Sequence, residues 1–336
     1  MPSSTPTFAD QKWGSEPWCR FDYWRHPTRE NVTAEHPNGT NPLLCIRHGG
    51  GGTGGDYTMY RTDAIANIWF FFRWLQETGS LARKFDICSF SSGQAAFYSS
   101  PQVIPKSVAM YFPDSPVDAQ RFVATIKHRA VEFGFDPNSM LGMGESFGAV
   151  DMSLAMMAPP IVGNGNSRTW LREYRHPQTF DSQLRGVIYH IGQVDCRKTG
   201  GVDYIHSYNM AGWFGTRTDS TSETDALPTQ VREMASLLSY LERGDTANYR
   251  GLFVMWGERG DHVKPYGNPS LPGSDVHDSQ QFYDLCAALD NRGLPYGKLF
   301  YAGNGLTNIN YPSAPPHTQQ VYYQTIYNWM VGQLAA

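Results

Sequence analysis

The stretch Met140-Leu141-Gly142-Met143-Gly144-Glu145-Ser146-Phe147-Gly148-Ala149-Val150 decides how this chain is read. Ahead of it Asp136-Pro137-Asn138 signals a turn, and behind it Asp151-Met152-Ser153-Leu154-Ala155-Met156-Met157-Ala158 has the Met, Leu and Ala content of a helix. Ser146 is therefore expected between a strand and a helix. The pattern G-x-S-x-G arises by chance in many chains, and this flanking context is what gives it chemical meaning. Glycines at 144 and 148 leave no side chains where strand and helix approach most closely, so the chain can bend sharply and lift the serine Oγ clear of the sheet edge. Ser146 is then a candidate nucleophile at a helix N-terminus. The backbone N–H of Phe147 and the positive end of the helix face any oxyanion forming there.

Upstream, Cys19-Arg20-Phe21-Asp22-Tyr23-Trp24 alternates as a half-exposed strand does, and Pro42-Leu43-Leu44-Cys45-Ile46-Arg47 is an apolar run of the kind buried in a sheet. That run empties into His48-Gly49-Gly50-Gly51-Gly52-Thr53-Gly54-Gly55, six glycines in seven positions after the histidine. Backbone N–H groups unhindered by Cβ can converge there on a small anion, as an oxyanion hole requires. A nucleotide-phosphate loop is the competing account. It fails in detail, because no G-K-[ST] follows and the spacing is not G-x-G-x-x-G with an acid about twenty residues on.

The spacing predicts a helix over 62–78, a strand over 85–90, and a helix starting near 113–118 and ending at Gly134, with Asp118 in or near its first turn. After the elbow come a strand over 184–191, a helix over 231–243, a strand over 252–256, a helix over 276–292, a strand over 297–301 and a final amphipathic helix over 318–334. Strands alternate with helices, so the fold class is α/β with a mostly parallel sheet. Residues 159–183 are irregular apart from a short helical stretch. The segment 192–230 is long, rich in Gly, Thr and Ser, and carries Tyr204, His206, Tyr208, Trp213 and Phe214; such loops usually form lids or binding surfaces.

With 336 residues the chain is long enough to bury a substantial core. Its net charge is −4 with 17 % charged residues and no basic block, which argues against nucleic acid or anionic membrane as partner. Nine Trp, 19 Tyr and 18 Phe suit a cleft that stacks on sugars or aryl groups. The five cysteines form no C-x-x-C pair, so neither a disulfide framework nor a zinc site is indicated. The first residues lack a charged-then-apolar leader, so the expectation is a cytoplasmic protein without a membrane span, secretion being the alternative if a leader has been trimmed.

Together these residues resemble the α/β-hydrolase fold, and within it the esterase branch that carries a His-Gly-Gly-Gly motif, the carboxylesterase, hormone-sensitive-lipase-like and feruloyl-esterase-like enzymes. His48 to Gly51 matches that motif and Gly144 to Gly148 matches the nucleophile elbow. Tyr111, Pro113 and Asp118, then Gly134-Phe135-Asp136-Pro137, resemble the segment linking the two. The likeness runs from about residue 18 to the end; Ala149 departs from it where many relatives carry a second glycine. It implies a single catalytic domain over 1–336, helices on both faces of a mostly parallel sheet, and lid-like insertions at about 159–183 and 192–230 that form the substrate pocket.

In this fold the triad runs serine, acid, histidine along the chain. Of ten histidines only His317 falls between the last strand and the last helix, which makes it the implied general base. For the acid, Asp261 follows a buried strand by a short Gly-bearing turn; Glu258 is the alternative and Asp275 a third candidate. The resemblance further implies oxyanion donors at Gly50, Gly51 and Phe147, and aromatic substrate contacts at Trp213, Phe214 and Trp256. The expected activity is hydrolysis of carboxylic esters through an acyl-enzyme, short-acyl or aryl esters including those carried on a carbohydrate, with neither metal nor organic cofactor required. An amidase or peptidase using the same triad, and a hydrolase-like binding protein without turnover, remain the alternatives.

Overall fold

The computed structural model describes residues 5–14, 18–30, 39–49, 57–61, 66–91, 112, 114–158, 182–199, 202–203, 214, 227–257, 280–301 and 316–335. The strands are β1 (Phe8–Lys12), β2 (Arg20–Trp24), β3 (Asn41–Arg47), β4 (Asp86–Phe90), β5 (Phe135–Glu145), β6 (Val187–His190), β7 (Lys198–Thr199), β8 (Val202–Asp203), β9 (Leu252–Gly257) and β10 (Tyr296–Tyr301). The helices are α1 (Ala66–Glu77), α2 (Asp114–His128), α3 (Ala130–Phe133), α4 (Phe147–Met157), α5 (Thr229–Met234), α6 (Leu237–Arg243), α7 (Gln280–Asn291) and α8 (Pro316–Ala335).

Eight strands form one sheet in the order β1-β2-β4-β3-β5-β6-β9-β10, while β7 and β8 make a separate small hairpin. The pairings β1–β2 and β2–β4 are antiparallel and the other five are parallel, so the sheet is mixed but mostly parallel. Strand β3 is buried throughout and feeds both faces through the two-residue period of a strand. Leu43 and Cys45 join a core with Phe21, Tyr23 and Phe90 beneath α2, α3, α4, α6 and α7. Leu44 and Ile46 join a second core with Ile87, Met143 and Ile188 beneath α1 and α8. Helices thus cover both faces, as a buried parallel sheet demands.

Several local expectations are corrected. Strand β2 is buried rather than half-exposed. Its one polar inward residue, Asp22, accepts hydrogen bonds from the Asp10 amide at 2.9 Å and from Arg61 at 2.6 Å. The helix expected to run to Gly134 breaks at Arg129 (φ −93°, ψ 13°), whose guanidinium binds the Lys12 carbonyl at 2.7 Å and Glu132. Asp118 is the fifth residue of α2, next to its first turn as expected, buried and paired with Arg121 at 3.2 Å. Asp136-Pro137-Asn138 does form an Asx turn, with the Asn138 amide donating to Asp136 Oδ1 at 2.9 Å, but inside β5, where the pairing with β3 shifts register. The helix expected over 231–243 is two, split where Ser236 turns extended and donates to Asp195 Oδ1 at 2.8 Å.

The five cysteines are free and buried. Among the described residues no helix is long and apolar enough to cross a membrane. Of the two expected insertions, only 182–183 in the first and 192–199, 202–203, 214 and 227–230 in the second are described; their role as lids lies outside the described residues.

Candidate active site

Strand β5 delivers Ser146 to the carboxyl edge of the sheet, and α4 leaves from it. Ser146 is half-buried with φ 52° and ψ −118°, a conformation that costs a non-glycine residue about 1–3 kcal/mol. Backbone bonds on both sides hold it there: its N–H donates to the His190 carbonyl at 2.8 Å, and its carbonyl accepts from Ala149 at 3.1 Å. The flanking glycines explain how the bend fits. A Cβ on Gly144 would lie 2.1 Å from the Gly148 carbonyl oxygen, and one on Gly148 would lie 2.2 Å from that of Arg47.

The start of the glycine run lies against this bend. A Cβ on Gly49 would sit 3.1 Å from the Glu145 carbonyl oxygen and 3.4 Å from Ser146 Cβ. His48 is buried, and burial together with the adjacent Arg47 charge holds its imidazole well below the usual range, so it is neutral. Arg47 Nη1 faces His48 Nε2, and a guanidinium can only donate, so Nδ1 carries the ring proton and donates to the Gly49 carbonyl at 2.7 Å. Arg47 is itself fully buried and meets Asp151 of α4 at 3.3 Å, while Ser115 of α2 donates to the other Asp151 oxygen at 2.7 Å. Beyond the loop, a 3₁₀ turn (Tyr57–Arg61) is pinned to the sheet: the Tyr57 hydroxyl donates to Asp10 at 2.6 Å and its amide to Ser91 Oγ at 2.9 Å.

On the opposite face, Glu145 and His190 are register partners at the ends of β5 and β6. Strand alternation puts them on the face of Met143 and Ile188, the side covered by α8. Burial pushes the Glu145 carboxyl up to about 7 and the His190 imidazole down to about 3, so both favour their neutral forms. Ile191, next in chain, has φ 48°, rare for a β-branched residue. Among the described residues no group of three or more His, Cys, Asp and Glu is disposed to hold a metal ion.

Asp261, Glu258, Asp275, Gly50, Gly51 and Trp213 lie outside the described residues. His317 is the second residue of α8, inside the helix rather than in the loop ahead of it. The far end of α8 meets the amino ends of the strands, where a Cβ on Gly186 would lie 2.9 Å from Trp329 and one on Gly251 would lie 2.5 Å from Gln333. The helix therefore runs against the strand direction, and its first turn heads toward the edge that bears Ser146. Phe147 opens α4 and is buried in a cluster with Val150 and Leu154, against which Phe214 packs; the Phe112 and Phe214 rings are 5.7 Å apart. Trp256, expected as a substrate contact, is corrected to a core residue: it is 0 % exposed mid-sheet, its ring stacked 6.5 Å from Tyr189. Arg47, Asp151 and Glu145 were not singled out from sequence. The available signal was one charge placed in each of three otherwise apolar, buried stretches.

No protein-family model matches the chain, and no curated protein matches it significantly in sequence. Solved structures do match it in fold. A truncated carbohydrate esterase from gut microbiota superposes with a TM-score of 0.61 at 12 % identity, over 100 % of this chain and 99 % of that one. An acetyl ester-xyloside bifunctional hydrolase from Caldicellulosiruptor lactoaceticus gives 0.62 at 10 % identity, over 98 % and 97 %. Esterase B from Lactobacillus Rhamnosis gives 0.61 at 13 % identity, over 98 % and 89 %. At such identities the likeness shows a shared fold: this chain has the architecture on which those esterases are built.

Proposed function

We propose that the chain is a single catalytic domain of the α/β-hydrolase fold that cleaves carboxylic esters by nucleophilic attack from Ser146. The observation that carries this reading is the strained bend at Ser146, between β5 and α4, with the first glycine of a glycine run packed against it. The sheet order, with its antiparallel β2, and the esterase architecture of the structural neighbours support the same reading.

In the proposed reaction His317 takes the Ser146 proton as Oγ attacks the acyl carbonyl, and Asp261, or Glu258 in its place, orients the imidazole and stabilises the imidazolium. Backbone N–H groups of Gly50, Gly51 and Phe147 bind the tetrahedral oxyanion, each such donor contributing about 3 kcal/mol to the barrier reduction. The imidazolium protonates the leaving alcohol, and water then hydrolyses the acyl-enzyme by the same route. The three neighbours are named for ester hydrolysis, two of them on carbohydrate, so short-acyl esters on a saccharide are the proposed substrates, with aryl esters such as ferulates next. Trp213 and Phe214 are the proposed aromatic contacts.

A fluorophosphonate probe tests the nucleophile: one adduct is expected, on Ser146, absent in S146A and strongly reduced in H317A. No adduct on Ser146 rejects the reading. Rates on p-nitrophenyl acetate, acetylated xylo-oligosaccharides, methyl ferulate and matched anilides then separate ester from amide chemistry. Comparing D261N with E258Q assigns the acid.

A further inference from the structure

We propose that the buried pair Arg47–Asp151 is a positioning device that holds His48 and Gly49, the start of the glycine run, against the bend at Ser146. The inference rests on the reading of Ser146 as nucleophile and concerns how that site is held.

Arg47 is the last residue of β3, and Asp151 is the fifth of α4. Both side chains are fully buried, at 0 % exposure and 3.3 Å apart. A charge taken that far from water is expensive unless it is paired, and an apolar pair of similar volume would stabilise the fold as well or better. The β3–β5 pairing aligns the strands as far as Arg47 and Gly144, and the guanidinium extends that alignment to the residues after β3 and to α4. Nη1 reaches the ring of His48 and, at 3.3 Å, its carbonyl oxygen, while Nε faces the carboxylate of α4. His48 in turn holds the Gly49 carbonyl through Nδ1–H at 2.7 Å. Ser115 fixes the far carboxylate oxygen at 2.7 Å, tying α2 into the same line.

The chain of contacts therefore runs Ser115, Asp151, Arg47, His48, Gly49, from α2 through α4 to the first residue of the glycine run. Gly148, without a Cβ, lets the two backbones close: a Cβ there would lie 2.6 Å from the His48 carbonyl oxygen. A shift of this unit moves Gly49, which packs against the bend, relative to Ser146, and misplacement on the order of 1 Å lowers rates by about a hundredfold.

The test uses the full chain and begins with the wild type, which must label at Ser146 with the fluorophosphonate; failure there rejects the nucleophile reading itself. The double variant R47M/D151L removes both charges at similar volume. Expected are a Tm at or above that of the wild type, a kcat on p-nitrophenyl acetate lower by roughly a hundredfold, KM within about threefold, and Ser146 labelling slowed in step with kcat. A folded double variant that turns over and labels like a labelling wild type overturns the inference alone. Should the double variant not fold, R47K decides: it keeps the charge but not the planar fork, and roughly tenfold lower kcat at unchanged KM is expected. Folded R47K with wild-type kcat overturns the proposal.

Discussion

The carboxyl of Glu145 is 6 % exposed, and among the described residues its Oε2 has no hydrogen-bond partner. Burial pushes it up to about 7 from the usual 4.5, and its register partner His190 stays neutral down to about pH 3. A carboxyl whose folded value is raised contributes stability that is complete below its unfolded value and is lost as pH rises through the folded one. Here that window runs from about pH 4.5 to 7 and a little beyond. The difference of about 2.5 units at 1.36 kcal/mol each corresponds to about 3 kcal/mol, favouring the fold at pH 4.5 and gone by pH 9. Glu145→Gln keeps the shape and removes the ionisation. Its stability relative to the wild type should start from a constant packing offset at pH 4.5 and improve by about 3 kcal/mol toward pH 9, a relative Tm gain on the order of 5 °C. Calorimetric scans of both proteins at half-unit pH steps give the curve. A difference that stays flat across that range, or that favours the wild type as pH rises, refutes the claim that this carboxyl is desolvated without compensation.

Gly148→Ala puts a methyl 2.2 Å from a backbone oxygen that cannot rotate away, so it should destabilise by about 3 kcal/mol and abolish fluorophosphonate labelling at Ser146; soluble, labelled protein at wild-type yield would contradict the close approach. Asp86→Asn weakens the partner of Arg29 and should lower stability by about 3 kcal/mol in thermal melts, while turnover per folded molecule is unchanged because Asp86 begins β4 at the edge away from Ser146. Trp256→Phe opens a cavity in the core and should cost about 2 kcal/mol with kcat/KM moved by no more than about twofold; a raised KM at unchanged stability would return Trp256 to the substrate pocket.

Much of the architecture could be read from the sequence because it depends on local pattern. Apolar runs such as Leu43–Ile46 and Leu252–Trp256 are strands, and the 144/148 glycine pair marks a bend whose two backbones touch. The misreadings share a different cause. Helix breaks at Arg129 and Ser236 are imposed by partners distant in the chain, the Lys12 carbonyl and the Asp195 carboxylate, which no window of residues reveals. The Asx turn at Asp136 was recognised as a turn, yet its place inside a strand depends on the register that β3 imposes. The aromatic character of Trp256 suggests a pocket, whereas its place within an apolar strand on a doubly covered sheet makes the core its destination. At the candidate site the bend at Ser146 followed from glycine spacing. The ionisable residues at 47, 145 and 151 stand out only as polar breaks in apolar runs, and their partners depend on tertiary contacts that the runs do not reveal.

Burial of charge alone does not distinguish the edge that bears Ser146 from the opposite one; the compensation of the buried carboxyls differs between them. Asp86, at the amino end of β4, is fully buried and accepts from the Tyr23 hydroxyl at 2.6 Å, the His26 amide at 2.9 Å, Arg29 at 2.6 Å and Asn41 at 3.1 Å. Such saturation is what a carboxylate kept for stability requires. At the carboxyl edge the opposite holds. Glu145 has an oxygen without a described partner, Asp151 is pushed by burial up to about 6 even with Arg47 3.3 Å away, and two non-glycine residues, Ser146 and Ile191, stand at positive φ within one hydrogen bond of His190. Each feature alone is a local violation of what favours folding. Their meeting where β3, β5 and β6 end is what the proposed active site calls for, since strain and perturbed ionisation gather where a fold gives up local stability to hold reacting groups in one geometry.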